Sequence, residues 1–124
     1  MIGKIYWSVF PYYNSKTGKN SFKKRPVLII SGPRNNDYTV LPVSSISIKS
    51  NIDADYDIKI EPSVFPALGV PQVCYVRTHK QTIVHQGALT SMIGDIKNSY
   101  EDLYLDILVK LEKFNQDVMN SNLN

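Results

Sequence analysis

The sequence is short of the residues from which most enzyme centres are built. Its 124 residues include one cysteine, Cys74, and two histidines, His79 and His85. A lone thiol closes no internal disulfide, which fits a reducing compartment. Cys74, His79 and His85 match no compact ligand spacing, so neither a metal site nor a cofactor is expected. The glycines form no phosphate loop of the Walker or dinucleotide type. Neither Ser44 nor Ser45 stands in a nucleophile-elbow context. No apolar run reaches the ~18 residues that cross a bilayer. The opening Met1-Ile2-Gly3-Lys4-Ile5-Tyr6-Trp7 lacks the long uncharged stretch of a signal peptide. The expectation is a cytoplasmic protein that does not partner a membrane.

The most informative absence is of acidic residues near the start. Residues 1–36 hold Lys4, Lys16, Lys19, Lys23, Lys24, Arg25 and Arg34 and no Asp or Glu, a charge of +7. The remainder carries seven basic and eleven acidic groups, a charge of −4. A basic segment on an almost neutral chain is the footprint of a polyanion partner, nucleic acid above all. The plainer alternative is a solvated basic loop.

What is present describes a single domain, 1–124, large enough to bury a core without disulfides. Lys4–Tyr12 alternates around Ile5, Trp7 and Val9 and reads as a strand. Tyr13–Lys24 is polar and reads as a loop. Pro26-Val27-Leu28-Ile29-Ile30 is a β-branched, continuous apolar run, the mark of a strand buried on both faces. Gly32–Asp37 is a turn cluster, and Tyr38–Val43 and Tyr56–Ile60 are further strands. Gln72–Thr78 and Gln81–His85 are strand candidates. The period then changes. Tyr100, Leu103, Ile107, Leu111, Phe114 and Val118 fall at helical spacing behind an approximate capping box, Ser99 and Asp102. The tail from about 119 is expected to be disordered. The fold class is therefore mostly β with a C-terminal helix.

Two groups of residues could carry chemistry. Tyr12, Tyr13 and Phe22 interleave with Lys16, Lys19, Lys23 and Lys24. Aromatic rings stack on unpaired bases while cations follow phosphates, so this stretch suits single-stranded RNA. Alternatively, Tyr12 and Phe22 anchor the loop to the core. Arg25 stands directly before the buried strand, and Ser44 and Ser45 end another. Strand ends hold geometry well. A guanidinium can stabilise the extra charge of a pentavalent phosphorane, and a hydroxyl can donate to a non-bridging oxygen. RNA brings its own nucleophile, the 2′-OH. The competing reading is that Arg25 pairs with a carboxylate and the serines cap a turn.

Gly3-Lys4-Ile5-Tyr6-Trp7 followed by Arg25-Pro26-Val27-Leu28-Ile29-Ile30-Ser31 resembles the opening of the MazF/PemK-like toxins. Leu41-Pro42-Val43-Ser44-Ser45 is similar to that family's next strand, and Arg77-Thr78 to its late Arg-Thr pair. The similarity runs in order over about residues 3–116. It implies an SH3-like, strongly twisted small barrel of the CcdB/PemK type, acting as a homodimer. It implies metal-independent cleavage of single-stranded mRNA to 2′,3′-cyclic phosphate and 5′-OH ends, and inhibition by a cognate antitoxin. Arg25 matches the family's catalytic Arg and Ser44 its catalytic Thr or Ser, with Ser45 one position away. Arg77 and Thr78 would then join the RNA contacts. The chain departs from the pattern at Cys74, where many members carry Asp or Glu. If Arg77 and His79 share a strand face, His79 could supply the missing proton transfer. Two rivals share the fold: a CcdB-like inhibitor of DNA gyrase that is no enzyme, and a catalytically impaired member that only binds RNA or protein.

Overall fold

Val27, Leu28 and Ile29 have no solvent exposure, because they lie at the middle of the sheet with apolar layers on both sides. Each contributes about 1.5–3 kcal/mol by leaving water. In this computed structural model, which describes residues 1–123, they belong to a long second strand. The strands are β1 (Lys4–Asn14), β2 (Lys19–Arg34), β3 (Asp37–Ser44), β4 (Asp57–Ile60), β5 (Cys74–Arg77), β6 (Thr82–His85) and β7 (Leu89–Asp95). Two helices follow, α1 (Ile96–Ser99) and α2 (Glu101–Leu123). The order across the sheet is β4-β5-β3-β2-β1-β7, with β6 also paired to β3, and every pairing is antiparallel. The outer edge of β3 is shared: Asp37 to Val40 pair with β6, while Val43 and Ser44 pair with β5. Two partners on one edge split the sheet there, and it curls into a half-barrel.

Strand alternation sorts the core into two layers. Ile5, Leu28, Leu41 and Val43 face α2, which returns Leu103, Tyr104 and Ile107 to them. Val27, Ile29, Tyr38, Val40 and Val84 form the opposite layer. Gly3 joins the two ends of the fold. Its N–H donates to the Ile29 carbonyl at 2.8 Å, and its own carbonyl accepts from Ile96 N–H at 2.9 Å. It does so at φ +86, with the Lys97 side chain where a Cβ would stand.

Several expectations are corrected. Tyr13–Lys24 is no loop: β1 and β2 stay paired as far as Asn14 and Lys19. The polar composition was a property of a solvent-exposed ribbon. The turn of the next hairpin shrinks to Asn35 and Asn36, both at positive φ, while Gly32 to Arg34 remain in β2. β7 was not anticipated, since Leu89-Thr90-Ser91-Met92 has no period-two alternation. Ser99 ends α1 and caps nothing. The cap belongs to Asp95, which accepts from Asn98 N–H at 3.1 Å and from its side-chain amide at 2.8 Å. Desolvation is the largest single influence on the Asp95 carboxyl and raises it, but the two Asn98 bonds together with the Lys4 and N-terminal charges outweigh it and hold the carboxyl below its ordinary range. Tyr100, Leu103, Ile107, Leu111 and Phe114 face the sheet as the spacing requires, but Val118 is exposed. From about 119, where disorder is expected, α2 continues to Leu123; residue 124 lies outside the described residues.

Candidate active site

The register of β1, β2 and β3 builds the centre of the site. Arg25 lies opposite Ser8 on β1. Val27 lies opposite Pro42, the last β2–β3 pair at this end, and Arg25 and Ser44 stand two residues further along their strands, on the same face. Directly opposed residues project to the same face, so Ser8 shares the face of Arg25 and Ser44. Ser8 is fully buried, and its Oγ has no hydrogen-bond partner among the described residues. Arg25 is exposed. Among the described residues its guanidinium has neither an ion pair nor a hydrogen bond. The reading in which Arg25 pairs with a carboxylate inside the fold is therefore not the one observed.

Arg25 and Ser44 sit between two pockets and line both. One, of about 350 Å³, is closed by Trp7, Pro26, Ser45, Gln72 and Cys74. Gln72 Nε2 donates to Ser45 Oγ at 2.6 Å and fixes that hydroxyl in the wall. Burial pushes the Cys74 thiol up to about 11, so it stays protonated at neutral pH and does not act in place of a carboxylate. The second pocket, of about 300 Å³, lies on the other face and is walled by Phe10, Tyr12, Lys23, Pro42 and Thr82. Among the residues lining the two pockets there is no Asp, Glu or His.

Beyond Ser8 and Pro26 the first two strands pair only with each other, as a ribbon running past the sheet. Asn14 makes its turn. The Asn14 carboxamide oxygen accepts from Lys16 N–H at 2.9 Å, and Gly18, at φ +68, donates its N–H to the Asn14 carbonyl at 2.9 Å. The ribbon divides the basic and aromatic side chains between its faces. Tyr12, Lys19 and Lys23 share the face of Arg25, and the Lys23 ammonium stands 4.5 Å from the centre of the Tyr12 ring. Tyr13, Phe22 and Lys24 belong to the reverse face, and Lys24 lines the first pocket. Lys16 is in the turn. Of the two rings that could have anchored the segment to the core, Phe22 is 71% exposed and does not, while Tyr12 is half-buried; Tyr13 is 65% exposed.

A family model for the PemK-like, MazF-like toxins of type II toxin–antitoxin systems matches residues 2–111. The chain belongs to this family. Among solved structures it is similar to the Mycobacterium tuberculosis toxin MazF-mt6, with a TM-score of 0.61 and 16% identity. That match covers 91% of this chain and 96% of the other, and at such identity it speaks for the fold. A search of curated protein sequences finds no match.

The Arg-Thr pair that helped to mark this PemK-like member has a different place from the one its motif suggested. Arg77 projects from the same face as Ser44, but it lines neither pocket. Its Nε donates to Asp57 Oδ1 at 3.1 Å and a terminal nitrogen donates to the Asn51 carbonyl at 3.1 Å. Thr78 is fully buried and donates its hydroxyl to the Tyr56 carbonyl at 2.6 Å, so that hydroxyl is engaged within the fold. β5 ends at Arg77, and strand alternation ends with it. His79 lies in the following turn, beside Tyr56 and Phe114, 3.9 Å from Asp53 and 3.8 Å from Asp57. His79 lines neither pocket, so this placement lends no support to the proton-transfer role suggested for it. Tyr56 in turn donates its hydroxyl to Asp117 of α2, and that bond pushes the phenol up to about 12.

The sequence reading missed Trp7, Phe10, Pro42, Gln72 and Thr82, all of which line the pockets. Phe10 was within reach. Once Asn14 and Gly18 are taken as a hairpin turn, parity puts Phe10 and Tyr12 on one face. Gln72 and Thr82 carry no local signal, because they arrive from elsewhere in the chain, Gln72 from the bend before β5 and Thr82 from β6.

Proposed function

We propose that this chain is the toxin of a type II toxin–antitoxin system and acts as an endoribonuclease on single-stranded mRNA without a metal. The observation that carries this reading is the free Arg25 guanidinium on one face with Ser44, at the junction of two pockets, in a member of this toxin family. The substrate 2′-OH loses its proton to solvent and attacks the adjacent phosphorus, the bond to the 5′-oxygen breaks, and that oxygen takes a proton from solvent, giving a 2′,3′-cyclic phosphate and a 5′-OH. Arg25 stabilises the charge that gathers on the non-bridging oxygens, with a fork of donors that keeps its charge at any working pH. The Ser44 hydroxyl donates to one of those oxygens, and Ser45 belongs to the wall beside it. Lys23 and Lys19 continue from Arg25 along the ribbon and neutralise phosphates, while Tyr12 stacks on a base. Tyr13, Phe22, Lys16 and Lys24 meet flanking nucleotides. Arg77, Thr78 and His79 serve the fold.

We place the protein in the cytoplasm, where mRNA is, as a homodimer, following its family. Its antitoxin partner brings an acidic segment to the basic face around Arg25, Lys23 and Lys24.

The test is incubation of the purified protein with a long single-stranded RNA in EDTA. Discrete fragments that end in a cyclic phosphate and begin with a 5′-OH are expected. Intact RNA accompanied by inhibition of DNA gyrase would replace this reading with the CcdB-like one.

A further inference from the structure

The second pocket has features that the cleavage chemistry does not use. It is lined by Phe10, Tyr12 and Pro42 together with Lys23, whose ammonium stands 4.5 Å from the centre of the Tyr12 ring. Such surfaces stack on a planar heterocycle. At about 300 Å³ it is at the small end of ligand pockets. It is also lined by Arg25 and Ser44, the two groups assigned to the scissile phosphate.

Thr82 supplies a polar edge inside. It lies opposite Val40, four residues before Ser44 on β3. Four residues of strand span roughly 13 Å, and side chains reaching inward from both ends shorten that to the span of one nucleotide, from phosphate to base edge. The parity is also right. Thr82 projects to the same face as Val40, and therefore as Pro42 and Ser44.

The Thr82 hydroxyl already donates its only hydrogen, to the Lys80 carbonyl at 3.1 Å. It can meet a ligand only through its lone pairs. An exocyclic amino group, as on cytosine N4 or adenine N6, satisfies them. The O4 carbonyl of uracil would face them acceptor to acceptor. Turning the hydroxyl to suit uracil would break the bond to Lys80.

We infer that this pocket takes the nucleobase adjoining the scissile phosphate, and that Thr82 selects a base with an exocyclic amino group, cytosine over uracil among the pyrimidines. The inference rests on the endoribonuclease reading of Arg25 and Ser44.

The experiment uses the wild-type protein and short RNAs built around one mapped cut site. They differ only in having cytosine or uracil on one side of the cut, then on the other. On one side, the cytosine RNA should be cut roughly 2- to 10-fold faster, the worth of about one neutral hydrogen bond. Thr82→Val keeps the shape and loses the hydroxyl, so its cytosine-to-uracil ratio should fall towards one. Thr82→Ser should retain the parental ratio. Equal cutting of both bases on both sides by the wild type overturns the inference, as does a parental ratio in folded Thr82→Val. Intact RNA in every reaction would instead defeat the ribonuclease reading itself.

Discussion

Replacing Arg25 separates chemistry from folding, because the structure gives this side chain almost nothing to do in the fold. It is exposed, and among the described residues it forms no ion pair or hydrogen bond. Exposed positions of that kind change stability by about ±0.5 kcal/mol. For a chain of this size that moves the melting temperature by roughly 2–3 °C. The catalytic effect should be far larger. Loss of one donor aimed at a developing oxyanion costs ~10²–10³ in rate, or about 2.7–4 kcal/mol. Arg25→Ala should therefore melt with the parent and cut RNA at least a hundredfold more slowly. Arg25→Lys resolves charge from geometry. It keeps the cation, so RNA affinity and its salt slope should stay close to parental. It loses the planar fork, so kcat should fall nearly as far as in Arg25→Ala. The assay is single-turnover cleavage of an end-labelled RNA beside thermal melting of each variant. A folded Arg25→Ala protein that cleaves at near-parental rate would refute the reasoning.

Lys19 and Lys23 share Arg25's face, so changing both to Gln should lower the salt slope of single-stranded RNA binding by roughly 1.4, at about 0.7 per neutralised phosphate; an unchanged slope measured by titration would remove them from the binding track. With no carboxylate or histidine lining either pocket, cleavage should accelerate steadily from pH 6 to pH 8 as solvent takes the 2′-OH proton, and a bell-shaped rate profile would contradict this. His79→Ala should cleave like the parent across that range but melt earlier by about 1–2 kcal/mol, having lost its contacts with Tyr56 and Phe114. Burial raises the Cys74 thiol to about 11 from an ordinary value of about 9, so the folded state holds its proton more tightly. That contribution is complete below pH 9 and disappears as pH rises towards 11. Denaturant melts should show parental protein losing stability in this window more steeply than Cys74→Ser, and the native thiol should resist alkylation at pH 8.

The sequence was most legible where one physical requirement dominates a segment. Val27, Leu28 and Ile29 could only be a doubly buried strand, and they are. The α2 stripe from Leu103 to Phe114 follows from period alone. The misreadings occurred where two causes produce one pattern. Polar residues from Tyr13 to Lys24 describe a loop, but they equally describe a ribbon with water on both sides. Only the Asn14 and Gly18 turn chemistry separates the two. Arg25 and Ser44 were recognisable singly, through a motif and strand ends. Their pairing is a matter of register between strands, which no single segment encodes. Thr78 and His79 were misplaced because the strand was assumed to continue beyond Arg77, and the alternation argument lapses where the strand stops.

The same placement accounts for the chain's departure at Cys74. Cys74 is buried in the layer that Leu28, Leu41 and Ile107 build, at the wall of the pocket that Lys24 and Arg25 also line. Burying a carboxylate there carries a desolvation cost, whereas a protonated thiol is at ease among apolar side chains. Cys74 therefore suits the core and withdraws acid–base chemistry from the pocket. Tyr56, Asp57, Arg77, Thr78 and His79 are instead bonded or stacked among themselves. Through Phe114 and Asp117 they fasten α2 to the β4–β5 edge. What remains around Arg25 is a cation, hydroxyls and stacking surfaces. In the proposed reaction such a site would act by positioning a phosphate and absorbing its charge, and it would leave the proton to water.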